Sequence, residues 1–193
     1  QSKYIDMAAY EVDTDEIIKF VKETRPTVIG FTAFTVQVKS AAYVAGRIKE
    51  KFPHIVIGLG GPHATAMPVE TLVEFPPFDF IVCCEAENLL TPILNNLADL
   101  SIIPGIITRK STLHVDNKIQ NLDSLPFPLW DDFDLDKYPG SDPHRTRREL
   151  PIVTSRGCPF TCNFCMRMFG RKRRTRSVES VIAEMERNII DFG

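Results

Sequence analysis

No apolar run in this chain approaches the roughly 20 residues a helix needs to cross a bilayer, which excludes a helical membrane span. The first residues carry no secretory-leader pattern, so five cysteines are not read as the framework of a disulfide-rich secreted domain. There is no internal repeat, which sets aside solenoids and propellers. Position 1 is not Met and the sequence stops at Gly193, just after a helical pattern, so both ends read as cuts in a longer protein. Net charge is only −2, too small to mark the whole chain as a polyanion binder. What remains is ordinary globular material, 44% hydrophobic and 25% charged over 193 residues.

Against that background one stretch stands out, Cys158-Pro-Phe-Thr-Cys162-Asn-Phe-Cys165. Three cysteines in the spacing CxxxCxxC can converge on one metal centre but cannot complete a tetrahedral protein site. Zinc would need a fourth donor, and the nearest histidine, His144, is not at ligand spacing. A ferredoxin would need a fourth nearby cysteine. Cys83 and Cys84 are distant, at the end of an apolar strand where cysteine serves as a small hydrophobe. A disulfide with a spare thiol stays open, as does a cubane cluster with one iron not held by the protein.

The charge is unevenly distributed. Residues 1–142 carry 12 Lys+Arg against 20 Asp+Glu, and residues 143–193 carry 11 against 5. Such a split points to units with different partners. Six basic residues lie between Arg167 and Arg176. No aromatic stacking array accompanies them, so nucleic acid is not the expected partner.

The first hundred residues alternate strand and helix patterns. Lys3–Met7 is a candidate strand. Asp13 with Glu16 opens a helix that carries Ile17, Ile18 and Val21 and stops before Pro26. Thr27–Phe31 and Ile55–Leu59 are continuous apolar runs, as strands covered on both faces require. Between them, residues 39–51 form an amphipathic helix. A short helix over Pro68–Glu74, a strand over Phe78–Val82 and a helix over Leu89–Leu97 follow. Ile106–Thr108 and Leu113–Val115 suit a hairpin. Alternation with short connections predicts a parallel sheet covered by helices, with any ligand beyond the carboxyl ends of the strands. Five prolines between 126 and 151 and aspartates at 131–136 mark a linker anchored by Phe127, Leu129 and Trp130. Ile152-Val153 restarts a strand. Ser177 caps a last helix whose expected buried face is Val178, Val181, Ile182, Met185 and Ile189.

Thr154-Ser-Arg-Gly-Cys158 through Cys165 resembles the opening of a radical S-adenosylmethionine domain, with Phe164 as the aromatic residue before the third cysteine. The resemblance implies that Cys158, Cys162 and Cys165 hold a [4Fe-4S] cluster whose fourth iron chelates S-adenosylmethionine for reductive cleavage. The preceding segments, Val28–Thr32, Gly60-Gly-Pro-His63, Asp79–Val82 leading to Glu85 and Glu87, Ile103–Ile106 and Leu122–Pro128, resemble in their order the cobalamin-binding domain that stands before many such domains. In that comparison Gly60 and Gly61 lie beside the corrinoid's nucleotide tail, which Thr32 and Thr35 can hydrogen-bond, while His63 is a satisfied loop histidine. The implied fold class is α/β: a doubly wound parallel sheet, Rossmann-like, with its first strand missing, then a linker and the first βα unit of a radical SAM partial TIM barrel. Expected boundaries are 1–120, 121–150 and 151–193.

Two departures from the family pattern stand out. The absent first strand leaves part of the corrin pocket unbuilt. Cys84-Glu-Ala-Glu87 replaces a Gly-Glu-Gly-Glu turn, and Ala86 lacks glycine's freedom there. The expected function is that of part of a cytoplasmic cobalamin-dependent radical SAM enzyme. It would catalyse methyl transfer or a radical rearrangement on an unspecified small molecule, with electrons from a flavodoxin or ferredoxin, and this piece would be inactive alone. The alternative is a non-catalytic α/β module with a zinc-stabilised tail.

Overall fold

The computed structural model describes residues 2–7, 9–112, 117–138 and 149–193. They fall into two compact units that interleave along the sequence: Thr14–Ile119 with Gly157–Arg171, and Gln1–Asp13 with Gln120–Arg156 and Lys172–Gly193.

The first unit is an α/β sheet domain. Helix α1 (Thr14–Thr24) begins one residue after Asp13 and buries Ile17, Ile18 and Val21, the stripe its periodicity predicts. Strand β1 (Val28–Thr32) follows, then α2 (Val38–Lys51), which turns Ala42, Val44, Ala45 and Ile48 inward. Strand β2 (Val56–Gly60) runs straight into a short helix, α3 (Gly61–Ala66), with Pro62 in its first turn, and then α4 (Pro68–Glu74). Strand β3 (Phe80–Val82), α5 (Leu90–Asn95) and β4 (Ile106–Thr108) complete it. The sheet order is β1-β2-β3-β4. β1, β2 and β3 run parallel, as their helical crossovers require. β4 pairs antiparallel with β3, Phe80 opposite Thr108 and Val82 opposite Ile106. The proposed hairpin partner of β4, Leu113–Val115, lies outside the described residues.

Register explains the packing. Val28, Val56, Phe80, Val82 and Ile106 meet Leu89 and Ile93 of the α5 region together with Leu100 and Ile103. Gly58 lies opposite Phe80, and a Cβ there would stand 2.2 Å from the ring's Cζ, so this glycine is required by packing. The amino ends of the strands are tied by Asp79, whose carboxylate accepts from Lys49 Nζ at 2.6 Å and from the Ile57 amide at 2.7 Å. Arg109 closes the end of α4 by donating to the Leu72, Pro76 and Phe78 carbonyls.

In the second unit a two-residue ladder pairs β5 (Ser155–Arg156) antiparallel with β6 (Arg174–Thr175). The strand therefore starts three residues after the expected Ile152. Helix α6 (Val178–Phe192) is capped as predicted, the Ser180 amide donating to Ser177 Oγ at 3.1 Å. Its buried face is not the expected one. Val178, Ile182, Met185 and Ile189 are exposed, whereas Glu184 and Asn188 are buried, 1% and 8% exposed. The reason is Arg176, which lies over the Phe127 ring, donates to the Ser180 and Val153 carbonyls and pairs with Glu184. That cation draws the polar face of α6 inward. Lys3–Met7 is not a strand. Tyr4 packs against Phe133 with ring centroids 4.6 Å apart and the rings tilted by 42°, and Asp6 accepts from the Tyr138 hydroxyl, so the segment anchors linker aromatics instead of joining a ladder.

Candidate functional site

The parallel strands β1, β2 and β3 end together, and three short connections gather at that carboxyl edge. After β1, residues 33–37 form a tight turn in which the Phe34 amide donates to Gln37 Oε1 at 3.0 Å and the Gln37 amide to the Phe34 carbonyl at 2.9 Å. The turn leaves Phe34 60% and Val36 92% exposed.

After β2 come the two predicted glycines, and the structure separates their roles. Gly61 has φ +88, and a Cβ there would lie 2.5 Å from Thr32 Oγ1 and 3.2 Å from the Ala33 amide nitrogen. Its missing side chain is space already used by the neighbouring loop. Gly60 is extended, φ −124 and ψ −166, with nothing nearer its Cβ position than the Val82 carbonyl oxygen at 3.7 Å. Only Gly60 leaves room for an incoming group. Thr32 and Thr35 stand at the same edge, both exposed. The Thr32 hydroxyl lies over Gly61. The Thr35 hydroxyl is 3.2 Å from Nδ1 of His63. His63 is 7% exposed and its amide donates to the Ala33 carbonyl at 3.2 Å, so it is satisfied as expected, although it stands in α3 and not in a loop.

The loop after β3 turns at Cys84, which holds φ +61. The position adopting a left-handed conformation is thus Cys84, not Ala86. The Cys84 amide donates to Thr65 Oγ1 at 3.0 Å, tying this loop to α3. Cys83 is buried, and burial pushes its thiol up to about 11. It is neutral at physiological pH, a packing residue as read from sequence. Glu85, only 2% exposed, accepts from the Ile119 amide at 2.7 Å. Asn117 Nδ2 donates to the Cys83 carbonyl at 2.9 Å and also to that of Glu85.

This Asn117–Ile119 strut reaches the cysteine loop. A Cβ on Gly170, φ +78, would lie 2.5 Å from Lys118 Cε, and the Cys158 amide donates to the Gly170 carbonyl at 3.0 Å. Loop 157–171 therefore belongs to the sheet unit, connected to the end of β3 through residues 117–119. Within it the Cys165 amide donates to the Cys162 carbonyl at 3.2 Å, a turn that brings those two residues together. All three thiols are free and exposed, and Phe164 is 91% exposed. The donor chemistry suits a thiolate-ligated cluster. The geometry is open: among the described residues no three Cys, His, Asp or Glu side chains, the cysteine trio included, are gathered for a metal ion. Closure around a cluster would require the loop to draw its sulfurs inward.

Sequence reasoning missed α3, although Gly61-Pro62 is a helix-start signal. It also missed the Asn117 clamp, for which no local pattern exists. Among the described residues no helix is long and apolar enough to cross a membrane.

Comparison with known proteins places residues 2–94 in the B12 binding domain family. The chain is 33% identical over 203 residues to the uncharacterized methyltransferase PH0819 of Pyrococcus horikoshii, covering 99% of this chain and 43% of the relative. It is 31% identical to the anaerobic magnesium-protoporphyrin IX monomethyl ester cyclase of Rubrivivax gelatinosus, covering 95% of this chain and 35% of that one. Among solved structures, apo, selenomethionine-labelled OxsB, a cobalamin-dependent S-adenosylmethionine radical enzyme, superposes with a TM-score of 0.73 at 23% identity, over 97% of this chain and 27% of that one. The chain thus spans less than half the length of the curated relatives it matches.

Proposed function

The chain carries a B12-binding domain and is homologous to cobalamin-dependent radical SAM methyltransferases, and from that premise we propose that its carboxyl edge seats a corrinoid beside a [4Fe-4S] cluster held by Cys158, Cys162 and Cys165. The observation that supports this reading is the membership of the cysteine loop and the strand ends in one compact unit, bridged by Asn117–Ile119. A cobalamin tail approaching β2 would find backbone at Gly60, hydroxyls at Thr32 and Thr35, and the apolar side chains of Phe34 and Val36 alongside. Phe164, on the cysteine turn, would cover the cluster from solvent.

When bound, such a cluster supplies an electron to S-adenosylmethionine and cobalamin carries a transferable methyl group. The residues here hold and orient these groups. The reaction we assign to the whole protein is methyl transfer to an unactivated carbon, or a related radical rearrangement, on a small-molecule substrate with a flavodoxin- or ferredoxin-type donor. With the chain covering 43% or less of those relatives, substrate residues and full S-adenosylmethionine contacts belong to the longer protein.

Anaerobic reconstitution with ferrous iron and sulfide tests the site. The expected result is a broad visible charge-transfer absorption that vanishes in Cys158→Ala, Cys162→Ala and Cys165→Ala and persists in Cys83→Ala. Stoichiometric zinc without iron in the purified protein, or equal absorption in the alanine variants, would overturn it in favour of a zinc-stabilised binding module.

A further inference from the structure

At the opposite end of the sheet, where β1 and β2 begin, lies a hollow of about 740 Å³. Its floor is apolar: Val21 and Ile55, 4% and 1% exposed, with Phe52 beside them. Its rim is basic, formed by the cations Lys19, Lys22 and Arg25 with His54 beside them, against one acid, Glu23. All belong to the sheet unit. A smaller hollow of about 390 Å³ adjoins it, sharing His54 and Ile55.

Two observations distinguish this rim from an ordinary solvated face. Nearby cations are paired, Lys49 with Asp79 at 2.6 Å and Arg47 with Glu50 at 3.2 Å. Among the described residues, the side chains of Lys19, Lys22, Arg25 and His54 have no hydrogen-bond or ion-pair partner. Arg25 also holds φ +48. It ends α1 in a left-handed turn, its amide donating to the Val21 carbonyl at 2.9 Å, where glycine is the residue that fits without strain. Arg25 adopts that conformation where it lines the apolar hollow.

Unpaired cations around an apolar floor repel one another, and Phe52 at its edge is left only half-buried. An anion with an apolar body relieves both, and the volume lies within the range of about 300–1,000 Å³ typical of small-molecule sites. We propose that this amino-edge hollow binds a small amphipathic anion. A flat apolar body sits on Val21, Phe52 and Ile55, and its phosphate or carboxylate is held by Lys19, Lys22 and Arg25. The site is separate from the carboxyl edge and stands whether or not cobalamin binds there.

The test is a backbone-amide NMR titration of the 193-residue chain with adenosine monophosphate and with naphthoate, beside adenosine alone and inorganic phosphate alone. The expected result is movement of resonances at residues 19–25 and 52–55. At least one amphipathic anion should bind about tenfold or more tightly than either half-probe, as charge-assisted contacts added to apolar burial require. Lys22→Glu with Arg25→Glu should abolish binding. Arg25→Gly, which suits the left-handed backbone, should keep the thermal transition and still weaken binding. The proposal is overturned if neither anion binds, if adenosine or phosphate alone binds as tightly, if Arg25→Gly binds like the parent, or if the shifts fall in the loops after β1 and β2 instead.

Discussion

Adjacent glycines at the end of β2 should respond oppositely to the same added methyl group. Gly61→Ala forces φ +88 on an L residue, costing about 1–2 kcal/mol. It also sets a Cβ 2.5 Å from Thr32 Oγ1; escape to a poorer Thr32 rotamer adds about 0.5–1.5 kcal/mol. The expected loss is therefore about 1.5–3.5 kcal/mol. Gly60→Ala meets an extended backbone and ordinary contacts at 3.7 and 3.9 Å. The stiffer unfolded chain then leaves stability unchanged or raises it by up to about 1 kcal/mol. With a urea slope of about 1–3 kcal/mol/M, midpoints read by far-ultraviolet circular dichroism should differ by about 1–2 M between the variants. The second readout reverses the order of interest. Aquocobalamin binding by equilibrium dialysis should weaken about tenfold in the well-folded Gly60→Ala, because its methyl fills the open approach to β2. Equal urea midpoints for the two variants, or a Gly60→Ala chain less stable than Gly61→Ala, would refute the division of roles; full cobalamin affinity in Gly60→Ala would refute the open approach.

Glu184→Ala leaves the Arg176 guanidinium buried without its carboxylate and should cost about 3–5 kcal/mol; Trp130, the one tryptophan and a member of the same unit, reports the loss as an earlier fluorescence transition in urea, and an unchanged midpoint would contradict the pairing. Cys84→Gly removes a side chain from φ +61 and should raise thermal stability by about 0.5–1 kcal/mol, measured by calorimetry, with a fall in stability counting against strain at that turn. Ellman's reagent should label Cys158, Cys162 and Cys165 rapidly in the native apo chain and Cys83 only on unfolding, since burial both hides its sulfur and keeps it protonated. The same burial makes a pH prediction: the Cys83 contribution is complete below the unfolded thiol's range near ~8.5 and is lost as pH rises through about 11, so urea midpoints should fall across that alkaline window in the parent and fall less in Cys83→Ala.

The sheet was legible because its signal is local and redundant. Val28–Thr32 and Val56–Gly60 are apolar runs with no other stable use, and the helices between them carry period-3.6 stripes that bury as expected. Spacing showed a three-thiolate loop, and the three thiols are exposed as free cysteines, but the described residues do not gather them on one centre. What the sequence hid depends on partners far along the chain. The apolar stripe of α6 predicts burial, yet Arg176 commits the opposite face. A single cation with a desolvated carboxylate outweighs several exposed aliphatics, because leaving that charge unpaired costs more than leaving each apolar side chain wet. Lys3–Met7 has strand composition, but a strand exists only with a ladder neighbour, and its aromatic and acidic groups found linker partners first. Asn117 lies in no motif and still ties the β3 loop to the cysteine loop's support.

The carboxyl edge is built mainly from backbone. Gly61 and Cys84 turn sharply at the ends of adjacent parallel strands, φ +88 and +61. The turns are fixed by the His63 and Cys84 amides and by the carbonyls of Ala33, Cys83 and Glu85. Main-chain groups spent on one another leave few free to address a ligand, so under the proposed function recognition at this edge would fall to Thr32, Thr35, Phe34 and Val36 and to the gap at Gly60. That arrangement leaves little side-chain signature in the short motifs at this edge. The residues that shape the platform do so through conformation, which many sequences satisfy, whereas the order of the segments fixes which loops meet. A substitution that preserves loop conformation while changing Phe34 or Val36 should therefore alter ligand affinity with little change in folding, and one that disturbs Asn117 should loosen both the β3 turn and the support beneath the cysteine loop together.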